Sequence, residues 1–366
     1  MHPAPRREMM QGMAKAPTKD RAEGPVSRPA SLKELAAYVG LSPSTVSLVL
    51  NQSPGSEAIP PQTQRRILEA ARKLNYRPNF LARSLRSMRT FAIGIMVPEL
   101  SDGYSSLVLS GIEDRLMEEG YMCLAASHRH SERQVELLPR LFYERCVDGL
   151  IAVDTPYFLR CPLPVVSVSG HLREPGVTNI VLDHDRAAEL GLGHLFSLGH
   201  RRIAVIKGQA FSSDTEVRFN SIAEAARRHG RPIEESLVVQ LEGDSPSPET
   251  GYVAARRLLE RGVHFTAIFA FNDVSAFGAI RALREGGLDV PGDVSVLGFD
   301  DIWGAAFHVP ALTTIRQPLR RMGQLAAETL LGRIRQGSDA DFPAQIQVEP
   351  ELVVRESTGP ARSGSA

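Results

Sequence analysis

From Phe91 onward the chain alternates short, nearly continuous apolar runs with helical stretches, and this alternation limits the fold more than any other feature. The strand-like runs are FAIGIMV (91–97), YMCLAAS (121–127), DGLIAVD (148–154), LPVVSVS (163–169), RRIAVIK (201–207), TAIFAF (266–271) and VSVLGF (294–299). Helical patterns fall between most of them, over 105–119, 131–145, 186–198 and 273–286. Strands that are apolar on both faces belong in a parallel sheet covered by helices on both sides. The stretch is too long for one open sheet, so two doubly wound α/β lobes are expected.

The first quarter of the chain reads differently. In SLKELAAYVGLSPSTVSLVLN (31–51), Leu32, Leu35, Ala36 and Val39 recur at helical spacing. Gly40 ends that helix, because glycine enters a left-handed turn without steric cost. Ser42 is placed to cap a second helix, and Pro43 suits its first position. Ala36, Gly40 and Val46 then have the size and spacing of a helix–turn–helix, in which the second helix crosses close to a small residue of the first. An ordinary helical hairpin could show the same triple. A third helix is expected over 62–75, with Ile67, Ala70, Ala71 and Leu74 on one face.

Charge separates the two regions. The whole chain has zero net charge, yet residues 1–90 hold 15 Lys/Arg against 6 Asp/Glu, leaving the remainder equally acidic. A basic module on an acidic body is the electrostatic footprint of nucleic-acid binding. A solvated basic tail would explain residues 1–29, which lack periodicity and read as disordered, but not Arg77, Arg83, Arg86 and Arg89. With 43% hydrophobic residues the chain can bury a large core, and it has no run of transmembrane length and no signal-peptide pattern. A cytoplasmic protein with no membrane contact is expected. Cys123, Cys146 and Cys161 have no metal-ligand spacing and read as reduced thiols.

LKELAAYVGLSPSTVSLVLN and NYRPNFLARSLR resemble the headpiece and hinge of the LacI (LacI/GalR) family of bacterial transcriptional regulators. SLGHRRIAVIKG, FAFNDVSAFGAIRALREGGLDVPGDVSVLGFDD and PALTTIRQP resemble its core, in the family's order. The resemblance spans roughly residues 30–357. It implies a small all-helical headpiece (30–76), a hinge (77–90), and a core (91–357) built as two lobes of periplasmic-binding-protein type. The first lobe would comprise 91–182 and 318–347, the second 183–317 and 348–357, with a disordered tail over 358–366.

Operator DNA, a small-molecule effector (a sugar or related metabolite) and a second copy of the chain are the partners so implied. No cofactor or metal is expected. Ser42, Pro43, Ser44, Thr45, Ser47, Leu48 and Asn51 match the DNA-facing positions of the headpiece. Asn79, Ala82, Leu85 and Arg86 match those of the hinge. Leu85 matches the leucine that wedges between base pairs, although a plain helix-face leucine is the alternative. The reading surface is chemically modest: Pro43, Ser44 and Leu48 stand at base-edge positions, and none makes a bidentate base contact. Thr45, Ser47 and Asn51 suit phosphates.

Ligands of such sheets sit beyond the carboxyl ends of the strands. Tyr104, Ser169, Arg218, Asn272, Asp300, Trp303 and Gln317 fall near those ends or at a crossover. Arg218, Asn272 and Asp300 match family ligand positions, and an arginine, an amide and a carboxylate suit a polyol. Each also has a plain structural role open to it: a surface arginine, a helix cap or a turn residue. Ser245, in GDSPSPETG, stands where the family often has an aromatic, so stacking is expected from Tyr104 or Trp303. Between DGLIAVDTP and LPVVSVS the chain leaves only 157–162, where the family usually fits a helix. His128-Arg129-His130 lacks a clustered third ligand and reads as a solvated loop rather than a metal site. No GxxxxGK[ST] or GxSxG is present, so enzymatic function is not expected. A solute-binding protein without gene control is the remaining rival, and the headpiece argues against it.

Overall fold

The computed structural model describes residues 30–51, 53, 55–77, 84, 89–155, 161–171, 174–245, 247–337 and 341–362. Two compact units divide between residues 85 and 86.

The first unit is a three-helix cluster: α1 (Leu32–Val39), α2 (Pro43–Leu50) and α3 (Pro61–Lys73). Ser31 and Glu34 close a reciprocal capping box at the start of α1, and Gly40 ends it at φ 66°. Ser42 caps α2 by accepting from the Thr45 amide at 3.1 Å. Leu35, Ala36, Val39, Val46, Val49, Ile67, Ala70 and Ala71 form its core, so the apolar spacing read from the sequence is the packed face. Arg66 donates to the Val39 carbonyl at 2.9 Å, fastening α3 to the end of α1. The four expected hinge contacts, Asn79, Ala82, Leu85 and Arg86, lie outside the described residues.

The second unit contains two six-stranded sheets. The first has the order β11-β5-β4-β3-β1-β2, from β1 (Ala92–Val97), β2 (Met122–Ser127), β3 (Gly149–Val153), β4 (Val165–Val168), β5 (Thr178–Leu182) and β11 (Gln345–Val348). The second has the order β12-β10-β9-β8-β6-β7, from β6 (Ile203–Lys207), β7 (Val238–Gln240), β8 (Ala267–Phe269), β9 (Ser295–Asp300), β10 (Thr313–Arg316) and β12 (Glu351–Val353). All neighbours are parallel except β10 and β12.

The helices that cover the sheets are α4 (Gly103–Glu118), α5 (Glu132–Glu144), α6 (His184–Ser197), α7 (Asp214–Arg228), α8 (Pro248–Glu260), α9 (Asp273–Glu285), the short α10 (Trp303–Phe307) and α11 (Leu319–Gln336). Near-continuous burial of β1, β3, β4, β5 and β9 is what their unbroken apolar runs require. α4 and α11 meet at backbone distance: a Cβ at Gly111 would lie 1.9 Å from the Arg320 carbonyl oxygen, and one at Gly323 2.1 Å from that of Val108. Only glycine permits this approach.

Two expectations need correction. β2, whose apolar sequence suggested burial on both faces, is an edge strand with Met122 76% and Leu124 41% exposed. His128-Arg129-His130 is not a solvated loop. His128 is fully buried, and the His130 ring stacks on Phe211 at 3.9 Å between centroids. No helix among the described residues is long and apolar enough to cross a membrane. The three cysteines are free thiols, with Cys146 exposed and the others half-buried.

Candidate functional site

In the first unit, α2 turns Val46 and Val49 into the core and leaves Ser42, Pro43, Ser44 and Leu48 exposed. The remaining polar groups on that face are partly engaged. The Thr45 hydroxyl lies 2.8 Å from that of Ser42, and Asn51 donates through Nδ2 to the Ser47 carbonyl (2.9 Å) and hydroxyl (3.1 Å). These contacts hold the first and last turns of α2 in shape, and the outward groups are small.

In the second unit, a cavity of about 90 Å³ lies at the carboxyl ends of both sheets. Its walls include Tyr104, His130, Asp154, Phe211, Asp214, Arg218, Ser245, Asn272 and Asp300. Each is placed by the end of an element: Asp154 follows β3, Asp300 closes β9, Tyr104 opens α4 and Asp214 opens α7. Backbone strain gathers here. Asp154, Ser169, His171, Asp300 and Asp301 all take positive φ, between 41° and 109°, a state that costs non-glycine residues free energy and recurs at binding sites.

Arg218 is the centre of the polar floor. It is 4% exposed, its guanidinium lies between the rings of Phe299 (3.8 Å) and Phe271 (4.4 Å), and it pairs with Asp214 Oδ2 at 2.8 Å while donating to the Phe271 carbonyl. Asp214 also accepts from His171 Nε2 at 2.5 Å and faces His184 Nε2 at 3.3 Å. Burial alone would raise its pKa, but His184, His171 and Arg218 outweigh burial and hold it well below the usual carboxylate range.

Asp300 is pushed the other way. Burial raises it well above the ordinary value, against the pull of Arg218, and Gln317 donates to it at 2.6 Å. Asp154, also buried and close to Asp214, is raised to about 6. Burial lowers His130 to about 4, so that ring is neutral at pH 7.

Tyr104, Arg218, Asn272 and Asp300 are therefore brought together as the sequence suggested. Asn272 serves twice, lining the cavity and capping α9 by accepting from the Ser275 amide at 2.8 Å. Ser169 and Gln317 act from behind the wall: Ser169 accepts from the Tyr104 hydroxyl at 3.0 Å, and Gln317 steadies Asp300.

Trp303 does not belong to the site. It is 80% exposed, because the positive-φ turn at Asp300 and Asp301 launches α10 with the indole outward. Besides Tyr104, the rings at the cavity come from His130, Phe211 and Phe271, and sequence reasoning missed His130 and Phe211 along with Asp154 and Asp214. His130 carried a signal in its HRH run, but Phe211 carried none.

The cleft is tied shut. Asp154 Oδ1, from the first lobe, accepts from the Ser213 amide (2.8 Å), the Ser213 hydroxyl (2.5 Å) and the Ser212 hydroxyl (3.3 Å) of the second. Small-molecule pockets usually enclose about 300–1,000 Å³, so a metabolite needs this latch to open.

A larger cavity, about 1080 Å³, lies elsewhere, against β3, β4 and β5 near Val165, Ser167, Asn179 and Arg333. It borders the short connection between Val153 and Val165, where Cys161–Pro164 form no helix and residues 156–160 lie outside the described set. It carries none of the expected ligand groups.

Comparison with known proteins agrees with this geometry. Residues 31–79 match the family described as "Bacterial regulatory proteins, lacI family", and residues 192–358 match "Periplasmic binding protein-like domain". The HTH-type transcriptional repressor PurR of Haemophilus influenzae is 32% identical over 340 residues, 90% of this chain and 98% of that protein. Its namesake in Yersinia pestis is 34% identical over 346 residues, 91% and 98% of the respective chains. Among solved structures, a Lac repressor dimer bound to operator and the anti-inducer ONPF superposes with TM-score 0.77 at 27% identity, covering 91% of this chain and 100% of that one. The transcriptional regulator CelR in complex with cellobiose gives 0.67 at 28% identity, over 90% and 99%.

Proposed function

The chain belongs to the lacI family of bacterial regulatory proteins, DNA-binding transcriptional regulators rather than enzymes, and on that premise we propose that it is a repressor whose hold on a near-palindromic operator is set by a neutral, hydroxyl-rich metabolite in the cleft. The observation that carries this reading is the convergence of Arg218, Asn272 and Asp300 on one cavity at the strand ends of both sheets.

Charge supports the ligand class. Six acidic residues line the cavity among those described (Glu99, Asp102, Asp154, Asp214, Asp244 and Asp300), and the arginine there, Arg218, is already paired with Asp214. An anionic ligand would meet like charge in a low-dielectric site. A sugar or polyol instead offers donors to the carboxylates and acceptors to Asn272. CelR was solved with cellobiose and an Enterococcus faecium regulator with ribose, which fits the same class.

A two-fold dimer matches a palindromic operator, and the exposed apolar side chains of β2 and α4 (Met117, Met122 and Leu124) offer it a face. Asn79, Ala82, Leu85 and Arg86 would supply minor-groove contacts and share the reading of sequence with α2. Opening or closing of the cleft would alter the geometry offered to the two hinges and so the affinity for operator.

The test is fluorescence anisotropy on a duplex selected from a random library, across salt concentrations, with and without candidate polyols. Binding should fall steeply with salt as phosphate contacts are screened, and one polyol should shift it. Calorimetry should show that ligand binding is lost in Asp300→Ala. Selection of no duplex at low salt would overturn the DNA reading. Unchanged ligand affinity in Asp300→Ala would overturn the assignment of the cleft.

A further inference from the structure

We propose that His171, His184 and Asp214 form a three-ligand site for a zinc-type divalent metal at the junction of the two lobes. The ligand atoms of these residues lie within 4.8 Å of one another. They come from three separate parts of the chain. His171 follows β4 in the first lobe, His184 begins α6 just after β5, and Asp214 opens α7 in the second lobe. A metal held by all three would bridge the lobes beneath the floor of the cavity that Asp214 lines.

The independent sign is His184. It is 5% exposed, and neither of its ring nitrogens has a hydrogen-bond partner among the described residues. A buried polar group left without a partner costs about 1–3 kcal/mol, so imidazoles in such places normally have something to bind. Nε2 of His184 instead faces Asp214 Oδ1 at 3.3 Å without hydrogen-bond geometry. In a tetrahedral site with metal–ligand bonds of about 2.0–2.1 Å, neighbouring ligand atoms stand about 3.3–3.4 Å apart. The His184–Asp214 edge already has that length. The His171–Asp214 edge, at 2.5 Å, has to widen by about 0.8 Å for the same tetrahedral spacing, and His171 is the less buried of the two imidazoles.

The surroundings suit the role. Arg218 holds Asp214 Oδ2 at 2.8 Å, leaving Oδ1 aimed at the two imidazoles, the kind of outer contact that orients a metal ligand. Two imidazoles and one carboxylate favour zinc, cobalt or nickel over magnesium or calcium. Three protein ligands leave a fourth position open for water or for an oxygen of a cleft ligand. That last possibility rests on the reading of the cleft given above, whereas binding of the metal alone does not.

The experiment uses the full-length protein, stripped with chelator and titrated with CoCl2 and then ZnCl2, with no effector or DNA present. One cobalt per chain should bind and give the visible absorption of a four- or five-coordinate ion, and zinc should displace it. His171→Gln and His184→Gln should each weaken zinc binding by at least about 100-fold, beyond the 10–100-fold seen for residues that only support a ligand. Zinc should also raise the melting temperature of the wild type but not of either variant. Melting of the metal-free variants reports whether they fold; should His184→Gln fail, the less buried His171 decides the matter. Less than one metal per chain, or zinc affinity in His171→Gln equal to wild type, overturns the proposal while leaving the effector reading intact.

Discussion

Replacing Arg218 by methionine probes the element on which the cleft depends. Methionine keeps much of the volume between Phe271 and Phe299 but removes the charge and every donor. Asp214 loses its 2.8 Å partner and the Phe271 carbonyl loses its donor. Breaking a buried pair from one side costs about 3–5 kcal/mol, because the remaining charge loses a close partner in a buried site, even with His171 and His184 still beside Asp214. At about 2–4 °C per kcal/mol for a domain of this scale, the melting temperature should fall by about 6–20 °C. The measurement is thermal and urea unfolding in chelator, so that metal cannot bind Asp214. The cause is isolated by Asp214→Asn in the same background. If the cost is the stranded carboxylate, the double variant recovers at least half of the loss, and the cycle shows strong coupling. A loss below about 1 kcal/mol in the single variant, the range of a solvent-exposed pair, would refute the reasoning. So would two substitutions whose effects simply add.

Asp273 gives a pH signature. It is fully buried, accepts from the Thr314 hydroxyl (2.6 Å) and the Ile302 amide (2.8 Å), and burial pushes its pKa to about 7. The native state therefore holds a proton that the unfolded chain releases near pH 4. This contribution to stability is complete below about pH 4 and declines as pH rises through 7, by up to about 1.4 kcal/mol per unit. Asp273→Asn should gain stability relative to wild type between pH 5 and pH 8 in urea titrations; an unchanged difference would rule out Asp273 as the source. In the first unit, Ala36→Leu should destabilise the three-helix core by about 1–3 kcal/mol through overpacking. Amide exchange in α1 and α2 of the full-length protein should accelerate, and operator affinity should fall in step.

Much of this was readable from the residues in order, and the reason is local. A capping serine, a glycine at φ 66° and the apolar spacing of Leu35, Ala36, Val39 and Val46 act over a few positions, so the headpiece announces itself. The same holds for strands such as β3, whose five buried residues are all apolar or glycine. Arg218, Asn272 and Asp300 could be found because each stands at the end of a recognisable element. The His130–Phe211 stack and the His171–Asp214–His184 group could not. Their members come from different strands and both lobes, and no periodicity links them. Trp303 failed for the converse reason. Its position after Asp300 suggested the cavity, but the left-handed turn that precedes it decides the direction of the side chain, and chain order does not encode that turn. β2 failed because apolar sequence looks the same in a central strand and in an edge strand awaiting a partner.

The closed latch also constrains how a ligand can act. Asp154 receives three hydrogen bonds across the cleft, and its raised pKa of about 6 leaves it mostly ionised at pH 7. Opening exchanges those bonds for water, at a net cost of about 1 kcal/mol each, and it also breaks the His171–Asp214 contact and the His130–Phe211 stack that join the same lobes. Moving such an equilibrium from 1:99 to 99:1 takes a differential affinity of about 5.5 kcal/mol. A ligand that merely fills space cannot supply this, since it gains nothing from Asp154 in either form. One whose hydroxyls replace Ser212 and Ser213 on Asp154, while reaching Asn272 and Asp300 across the gap, binds one lobe arrangement and not the other. If the cleft binds ligand as proposed, one that replaces Ser212 and Ser213 on Asp154 would use for recognition the same hydrogen bonds that hold the lobes together.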